Sequence, residues 1–391
     1  MKPLFAPSIG ALALITLAVG LAPMLAQAAC PADAAEAFAQ TGTVEFAQGF
    51  AIEYFETHKL VTVTAPWPGA EEQFQYVLVP CSTPAERLPD DLPPDAPVIT
   101  VPVDRVIAMS TTYLPALAEL GVLDRVVALD ETDFAYTPAV RDRIRAGDIV
   151  EVGSGAMVDI EAVLALEPGL IMTYGSGFAD YDAHPILLEA GLPVVLNGEF
   201  AEPTALGRAE WVRFIAAFFN REAEADALFM QIRDEYQALA SLTADVAERP
   251  TVLANAMYGG VWYMAGGAST TAQFIADAGG DYLWADDTST GSLSLSFEDV
   301  LDRAQDADIW INANTWLTLA DGLAEDERYA EFRAFAAGQV FNPILRIGPM
   351  GGNDFYEAAT LHPETVLADL IHIFHPDLLP DHEPVYFQQL Q

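Results

Sequence analysis

The chain has 391 residues, of which 57 are Asp or Glu and 17 are Lys or Arg, for a formal charge of −40 at pH 7. Such an acid excess repels phosphate backbones and no basic cluster offsets it, which argues against nucleic acid as a partner. A hydrophobic content of 52% with 10% aromatics excludes a disordered chain, so the acids read as a heavily hydrated surface around an ample core.

The N-terminal stretch "MKPLFAPSIGALALITLAVGLAPMLAQAAC" has one Lys, an apolar run from Ile9 to about Leu25, and a small-x-small tripeptide, Ala26-Gln27-Ala28. This is the pattern of a secretory signal peptide over residues 1–28, with a transmembrane anchor as the competing reading. Pro23 and the cleavage tripeptide favour export. No later apolar run is long enough to span a bilayer, so a mature protein soluble outside the cytoplasm is expected. Cys30 and Cys81 are the only cysteines. In an oxidising compartment they suggest one disulfide, which would stabilise by roughly 4 kcal/mol in the chain-entropy model. Lipidation of Cys30 is the alternative; the preceding "QAAC" has Gln where a lipobox usually has Leu.

Residues 44–80 alternate in short β-branched and aromatic runs, which predicts antiparallel strands. "STPAERLPDDLPPDAPVITVPV" then carries a proline every few residues and reads as a stiff extended linker. From Val103 short apolar strands alternate with helices of about ten residues: "RVIAMS", "TYLPALAELG", "VVALD", "EAVLALEPG", "LIMTYG", "HPILLEAG", "PVVLNG". That alternation predicts βαβ units on a parallel sheet. Thr204 to Arg249 is helical in pattern with a pause near Asn220, and its second piece, from Glu222 to about Ala247, would be ~39 Å long at 1.5 Å per residue. After Pro250 the alternation resumes. "TVLANAMY" is a strand, "VWYMAGG" a hairpin return, "TTAQFIADAGG" and "FEDVLDRAQ" helices, and "DIWINAN" a strand. "ERYAEFRAFAAG" is then a helix, "QVFNPIL" a strand and "PETVLADLIHIF" the closing helix. The expected fold class is α/β: two Rossmann-like lobes joined by a long helix, with a ligand cleft between them. The expected boundaries are an N-terminal β appendage and linker over 29–100, an N-terminal lobe over 101–203, a connecting helix over 204–249 and a C-terminal lobe over 250–391.

"VDIEAVLALEPGLIM" and "SFEDVLDRAQDADIWIN" place a small polar residue, Glu two positions later, an apolar helix and a strand in the same order. Asp159 and Ser296 are expected N-caps, Ser296 with Asp299 approximates a capping box, and Glu161 and Glu298 fall in the first helical turn, where an acid suits the helix dipole. Capping chemistry explains either Glu alone but does not require both.

No nucleophile elbow, phosphate loop or HExxH occurs. His362, His372, His375 and His382 cluster near the C-terminus. His372 and His375 could share a metal-binding face, though neighbouring the end of a helix explains them as well. Aromatics at strand ends suit a large flat or chelated ligand: Tyr113, Phe134, Tyr136, Tyr174, Tyr258, Trp262, Tyr263, Trp316, Phe355 and Tyr356. Arg346, before a Gly-rich loop, could grip an anionic chelate or form an internal pair with Asp354 or another acid; both readings stand.

These features together, with "DIEAVLALEPGLIM" as the strongest local match from about residue 100 onward, resemble the class III periplasmic substrate-binding proteins of ABC importers for ferric siderophores, haem and cobalamin. The family usually has Asp at the place of Gly169. The resemblance implies that Glu161 and Glu298, one per lobe, pair with Arg residues of a permease dimer. It also implies that the ligand lies between the lobes, where Tyr136, Tyr174 and Phe355 or Tyr356 align with pocket segments. The expectation is a monomeric, non-enzymatic binding protein with no intrinsic cofactor, carrying a ferric chelate. Haem or cobalamin is the alternative ligand, and bare Zn or Mn on the C-terminal histidines a further one. A secreted metal-dependent enzyme on the same scaffold is the reading from a different class.

Overall fold

The structure is a computed structural model that describes Phe38 and residues 42–81, 92–94 and 96–391. The expected signal peptide, Cys30 and most of the Pro-rich linker lie outside the described residues. Near the N-terminus, β1 (Phe50–Tyr54), β2 (Lys59–Val63) and β3 (Phe74–Pro80) pair antiparallel as their alternation predicts. The linker contributes a strand that sequence reasoning missed: β4 (Val98–Val101) pairs parallel with β3, with Pro97 and Pro102 just outside its ends, where a missing N–H is tolerated. This sheet is no separate appendage. Phe50, Val61, Tyr76, Leu78 and Ile99 belong to the same buried cluster as the core of the lobes.

The N-terminal lobe is a five-stranded parallel sheet of β5 (Val106–Ala108), β6 (Val126–Leu129), β7 (Val150–Glu151), β8 (Leu170–Thr173) and β9 (Val194–Leu196), in the order β7-β6-β5-β8-β9. β5, β8 and β9 are buried throughout, which is why they read as unbroken apolar runs rather than as alternating ones. The C-terminal half supplies β10 (Thr251–Ala254), β11 (Met257–Tyr258), β12 (Val261–Ala265), β13 (Asp281–Tyr282), β14 (Ser292–Leu295), β15 (Ile309–Ile311), β16 (Val340–Asn342) and β17 (Gln388–Gln389). The second lobe is ordered β13-β10-β15-β16-β17, parallel except for β17 at the edge, while β11-β12-β14 form a small antiparallel sheet beside it. The expected strand "TVLANAMY" is therefore split between two sheets. Asn255, in the left-handed region at φ 60°, turns the chain from one to the other. "DIWINAN" is likewise strand only to Ile311, because Asn312 and Asn314 adopt φ of 58° and 47°.

The connecting segment is two helices rather than one. Ala205–Ala217 is buried along nearly its whole length, and Glu222–Thr243 follows after a break at Asn220, whose φ is 53°. The second helix has 22 residues, so it spans about 33 Å. It packs against both the first helix and the closing helix Pro363–Phe374.

Buried charge ties the N-terminal sheet to this helix pair. Glu210, fully buried, accepts backbone N–H groups from Glu45 (2.8 Å), Phe46 (2.6 Å) and Ala47 (2.8 Å) and pairs with Arg213. Glu202 accepts from Gln48 (3.0 Å), Gly49 (2.8 Å) and the Trp211 indole (2.9 Å). On β2, Lys59 is fully buried and its Nζ pairs with Glu222 at the start of the longer helix, while also donating to the Ala217 carbonyl and the Asn220 side chain, both at 2.8 Å. Burial lowers the Lys59 pKa and raises that of Glu222, each opposed by the other's charge. Removing one partner strands the other's charge in the core. Lys59→Met should therefore cost about 3–5 kcal/mol in urea unfolding, and Lys59→Met with Glu222→Leu should recover most of that loss. Equal destabilisation in the single and double variants would contradict this account of the pair.

Candidate functional site

In both lobes the carboxyl ends of the strands open toward one cleft, the place where open α/β sheets bind ligands. The loops after β5, β6 and β8 bring Ser110 and Thr111, Asp130 and Glu131, and Tyr174 to it. Those after β10, β15 and β16 bring Asn255, Asn312, Asn314 and Pro343. The cleft comprises a cavity of about 950 Å³ on the C-terminal lobe and one of about 630 Å³ reaching into the N-terminal lobe, with Asn314, Thr315 and Tyr356 lining both. A recess of about 290 Å³ shares Ser110 and Tyr174 with the second cavity and Arg208 with the first. The walls are aromatic. Tyr258 and Tyr356 are 77% and 63% exposed, and Tyr263, Phe274, Phe355 and Phe387 complete the larger cavity.

Of the aromatic residues expected to bind ligand, Tyr113, Tyr174, Tyr258, Phe355 and Tyr356 border these cavities. Tyr113 does so from a buried position, with its hydroxyl lacking a hydrogen-bond partner. Trp262 and Trp316 do not reach the cleft. Trp262 is fully buried and stacks on Trp310 at 5.5 Å between ring centres, while Trp316 packs edge-on to Trp310 and donates its indole N–H to Glu325 at 2.7 Å. They are core: along β12 the side chains alternate, so Trp262 is buried where its neighbour Tyr263 faces the cavity, and Trp316 is packed against Trp310, Tyr329 and Phe335. Tyr136 also stands off the cleft, under the Arg346 guanidinium. Arg346 takes the internal alternative: its Nε lies 2.6 Å from Asp354 Oδ2, outside both large cavities.

The cleft has a different arginine, which sequence reasoning missed. Arg208 stands one turn into the helix Ala205–Ala217, whose N-cap Thr204 accepts from Gly207 N at 3.0 Å. Its Nε is buried without a hydrogen-bond partner. The nearest opposing charge is Glu199, also buried, whose Oε1 is already occupied by the Thr112 hydroxyl at 2.8 Å. Burial raises the Glu199 pKa against the pull of Arg208. Asn312 Oδ1 is a second orphaned polar atom lining the larger cavity. Asp130, on the N-terminal wall, is pushed by burial up to about 6.

Beside the cleft the segment after β16 crosses to the other lobe. Glu357, fully buried, accepts the Tyr136 and Thr137 N–H groups at 2.7 and 2.9 Å, at the start of the helix Pro138–Ala146. His362 Nε2 lies 2.5 Å from Glu119 of the N-terminal lobe and its Nδ1 lies 2.9 Å from Glu364. Burial disfavours the charged ring, but the bonds to Glu119 and Glu364 outweigh it and lift its pKa to about 10. The other C-terminal histidines serve the fold. His372 and His375 donate to the Leu379 and Gly279 carbonyls at 2.9 and 3.0 Å, and His382 meets Asp369 at 2.7 Å. Among the described residues no group of three or more His, Cys, Asp or Glu is placed to hold a metal ion.

Glu161 and Glu298 lie outside the cleft, both exposed, each the second residue of its helix. Asp159 caps the first helix by accepting from Ala162 N at 3.0 Å, and Ser296 forms a full capping box with Asp299. The two helices occupy matching places, since each delivers the strand that pairs with its lobe's first strand: β8 with β5, and β15 with β10. Glu298 pairs with Arg328 at 3.1 Å; Glu161 has no ion-pair partner among the described residues.

Comparison with known proteins points one way. The family described as periplasmic binding protein matches residues 106–342. An uncharacterized lipoprotein of Methanocaldococcus jannaschii is 28% identical over 302 residues, covering 74% of this chain and 69% of the relative. A second from the same organism is 25% identical, covering 73% of each. Among solved structures, a periplasmic heme binding protein from Pseudomonas aeruginosa matches with a TM-score of 0.55 at 19% identity, over 74% of this chain and 98% of that one. An ABC-type Fe3+-hydroxamate transport protein from Saccharomonospora viridis matches at 0.52 and 20%, over 69% and 92%. At these identities the structural likeness establishes the two-lobed fold.

The His362 bridge has a pH signature. Because its folded pKa is raised, the stability it contributes is complete below the unfolded value of about 6.5 and is lost as pH rises through about 10. The stability difference between wild type and His362→Gln should thus be constant in mild acid and shrink toward alkaline pH. By NMR the imidazole should remain protonated at pH 8; a neutral ring there would refute the bridge.

Proposed function

From the premise that the chain belongs to the periplasmic binding protein family, we propose that it captures an intact metal chelate of the ferric-siderophore type and delivers it to an ABC importer. The observation that carries this reading is the aromatic-walled cleft at the carboxyl ends of both sheets, whose two cavities of about 950 and 630 Å³ suit a large, partly apolar ligand. Solved structures of the same fold include a heme binding protein and an Fe3+-hydroxamate transport protein, which supports the ligand class. Separate protein partners for every C-terminal histidine support an intact chelate over a bare Zn or Mn ion and over a metal-dependent enzyme.

Glu161 and Glu298 are the proposed permease contacts. Equivalent exposed acids on the two lobes would each accept a guanidinium fork from one half of a two-fold partner. The exposed Arg328–Glu298 pair is worth little in water and yields readily to such a partner. Membership of the family supports a periplasmic location. Among the described residues no helix is long and apolar enough to cross a membrane. Two relatives are named lipoproteins, which keeps lipidation of Cys30 in view. With two cysteines in the chain, a Cys30–Cys81 disulfide is the proposed alternative.

Fluorescence titration of purified apo protein with a chelate panel tests the capture, and uptake into proteoliposomes holding the cognate permease tests the delivery. Glu161→Arg with Glu298→Arg should abolish uptake while keeping Kd within about twofold of wild type, as expected of rim charges that choose a partner. Loss of chelate binding in that variant would remove the docking role. Stoichiometric Zn or Mn uptake by the apo protein, abolished by His372→Ala with His375→Ala, would overturn the chelate reading. For the cysteines, alkylation of the denatured mature protein without reductant should label neither thiol, and a free Cys81 or a diacylglyceryl mass on Cys30 would contradict the disulfide.

A further inference from the structure

We propose that Arg208 is the ligand's anchoring point, and that the ligand therefore presents a free carboxylate to the floor of the cleft. This rests on the chelate reading above and narrows it.

Three independent features converge there. First, Arg208 lines both the 950 Å³ cavity and the 290 Å³ recess, so its guanidinium stands where the C-terminal and N-terminal portions of the cleft meet. Second, its Nε is buried with no hydrogen-bond partner, and among the described residues no ion pair engages it. Leaving a buried donor of a charged group unbonded costs more than an ordinary hydrogen bond returns, so a persistent orphan at a cavity wall marks a position that a ligand atom completes. Third, the 13-residue helix Ala205–Ala217 begins at the same wall. Ala205 itself lines the larger cavity, and the partial positive charge of the helix start adds to that of Arg208.

Glu199 does not satisfy this arginine. It is the acid whose field Arg208 feels most, but no contact within ion-pair distance joins them, and its Oε1 is held by Thr112. Glu199 lines the same recess as the arginine, with its Oε1 turned to Thr112. In a chain with 57 acids and 17 Lys plus Arg, an unpaired cation at the back of a cleft stands against the average field of the surface. The surrounding groups select further. The orphaned Tyr113 hydroxyl borders the recess, so an anionic oxygen at Arg208 would have a further hydrogen-bond donor beside it. Asp130 and Glu131, which line the N-terminal cavity, confine negative charge on the ligand to the Arg208 end.

The test uses the full mature chain and three probes: ferric citrate and haemin, which carry free carboxylates, and a linear ferric trihydroxamate, which carries none. Binding is read by intrinsic fluorescence quenching and by calorimetry. The expected result is that wild type binds at least one carboxylate probe. Arg208→Gln should weaken it by roughly thirtyfold or more, the effect of truncating one partner of a buried charge pair, and Arg208→Lys should recover part of the loss. For haemin, methyl esterification should reproduce the loss in wild type and add nothing in Arg208→Gln. A thermal melt of each variant reports folding separately from binding. If a carboxylate probe binds with affinity unchanged by Arg208→Gln, or if only the trihydroxamate binds, the anchoring role falls and chelate capture stands. If none of the three binds wild type, the chelate reading falls and takes this inference with it.

Discussion

Two buried carboxylates, Glu202 and Glu210, set the terms for the rest of the molecule. Between them they collect the N–H groups of five consecutive residues, Glu45 to Gly49, from a chain segment more than 150 positions away in sequence. A carboxylate taken out of water is costly unless its lone pairs are filled, and here Arg213 and Trp211 complete the filling. The geometry that satisfies both acids fixes the incoming strand segment against the helix Ala205–Ala217. That helix in turn presents Arg208 at the cleft, and the Lys59–Glu222 pair sets the start of the next helix. Position is transmitted from the N-terminal sheet to the cleft floor through hydrogen bonds that admit few alternatives.

The lobes are joined in more ways than the connecting helix suggests. The segment from Arg346 to Glu364 leaves the C-terminal sheet, leans on the N-terminal lobe through Glu357, His362 and the Arg346–Tyr136 contact, and returns as the closing helix. Phe355 and Tyr356, which wall the cleft, ride on this bridge. Opening of the lobes is therefore resisted by a second strap as well as by the helix pair, which favours small rigid-body adjustments over wide closure.

The parts of this structure that were legible in the sequence are those governed by local chemistry. Strand alternation, the apolar runs of the parallel sheets, the break at Asn220 and the two capped helices bearing Glu161 and Glu298 each follow from residues within a turn or two of one another. What stayed hidden depended on distant partners. The indole rings of Trp262 and Trp316 look like pocket walls when placed at strand ends, and only the packing of Trp310, Tyr329 and Phe332 around them shows that they are core. The two arginines invert the same way. Arg346 finds Asp354 eight residues away, whereas Arg208 is left unpaired because its neighbours are committed elsewhere, a fact that no window of sequence contains. β4 was concealed by its prolines, which read as linker until a parallel partner is known.

The loop after β8 carries one more consequence. Gly175 follows Tyr174 at the cleft wall, and a Cβ there would lie 2.7 Å from the Trp67 ring, which also stacks on His184. Tyr76 reaches from β3 to accept the Leu196 N–H of β9 at 2.9 Å. The N-terminal sheet thus buttresses a wall of the binding cleft, although the family match begins only at residue 106. The family match and the shared buried core therefore do not coincide. A fragment trimmed to the recognisable homology would bare the helix Ala205–Ala217 to water and release the tyrosine loop from its support.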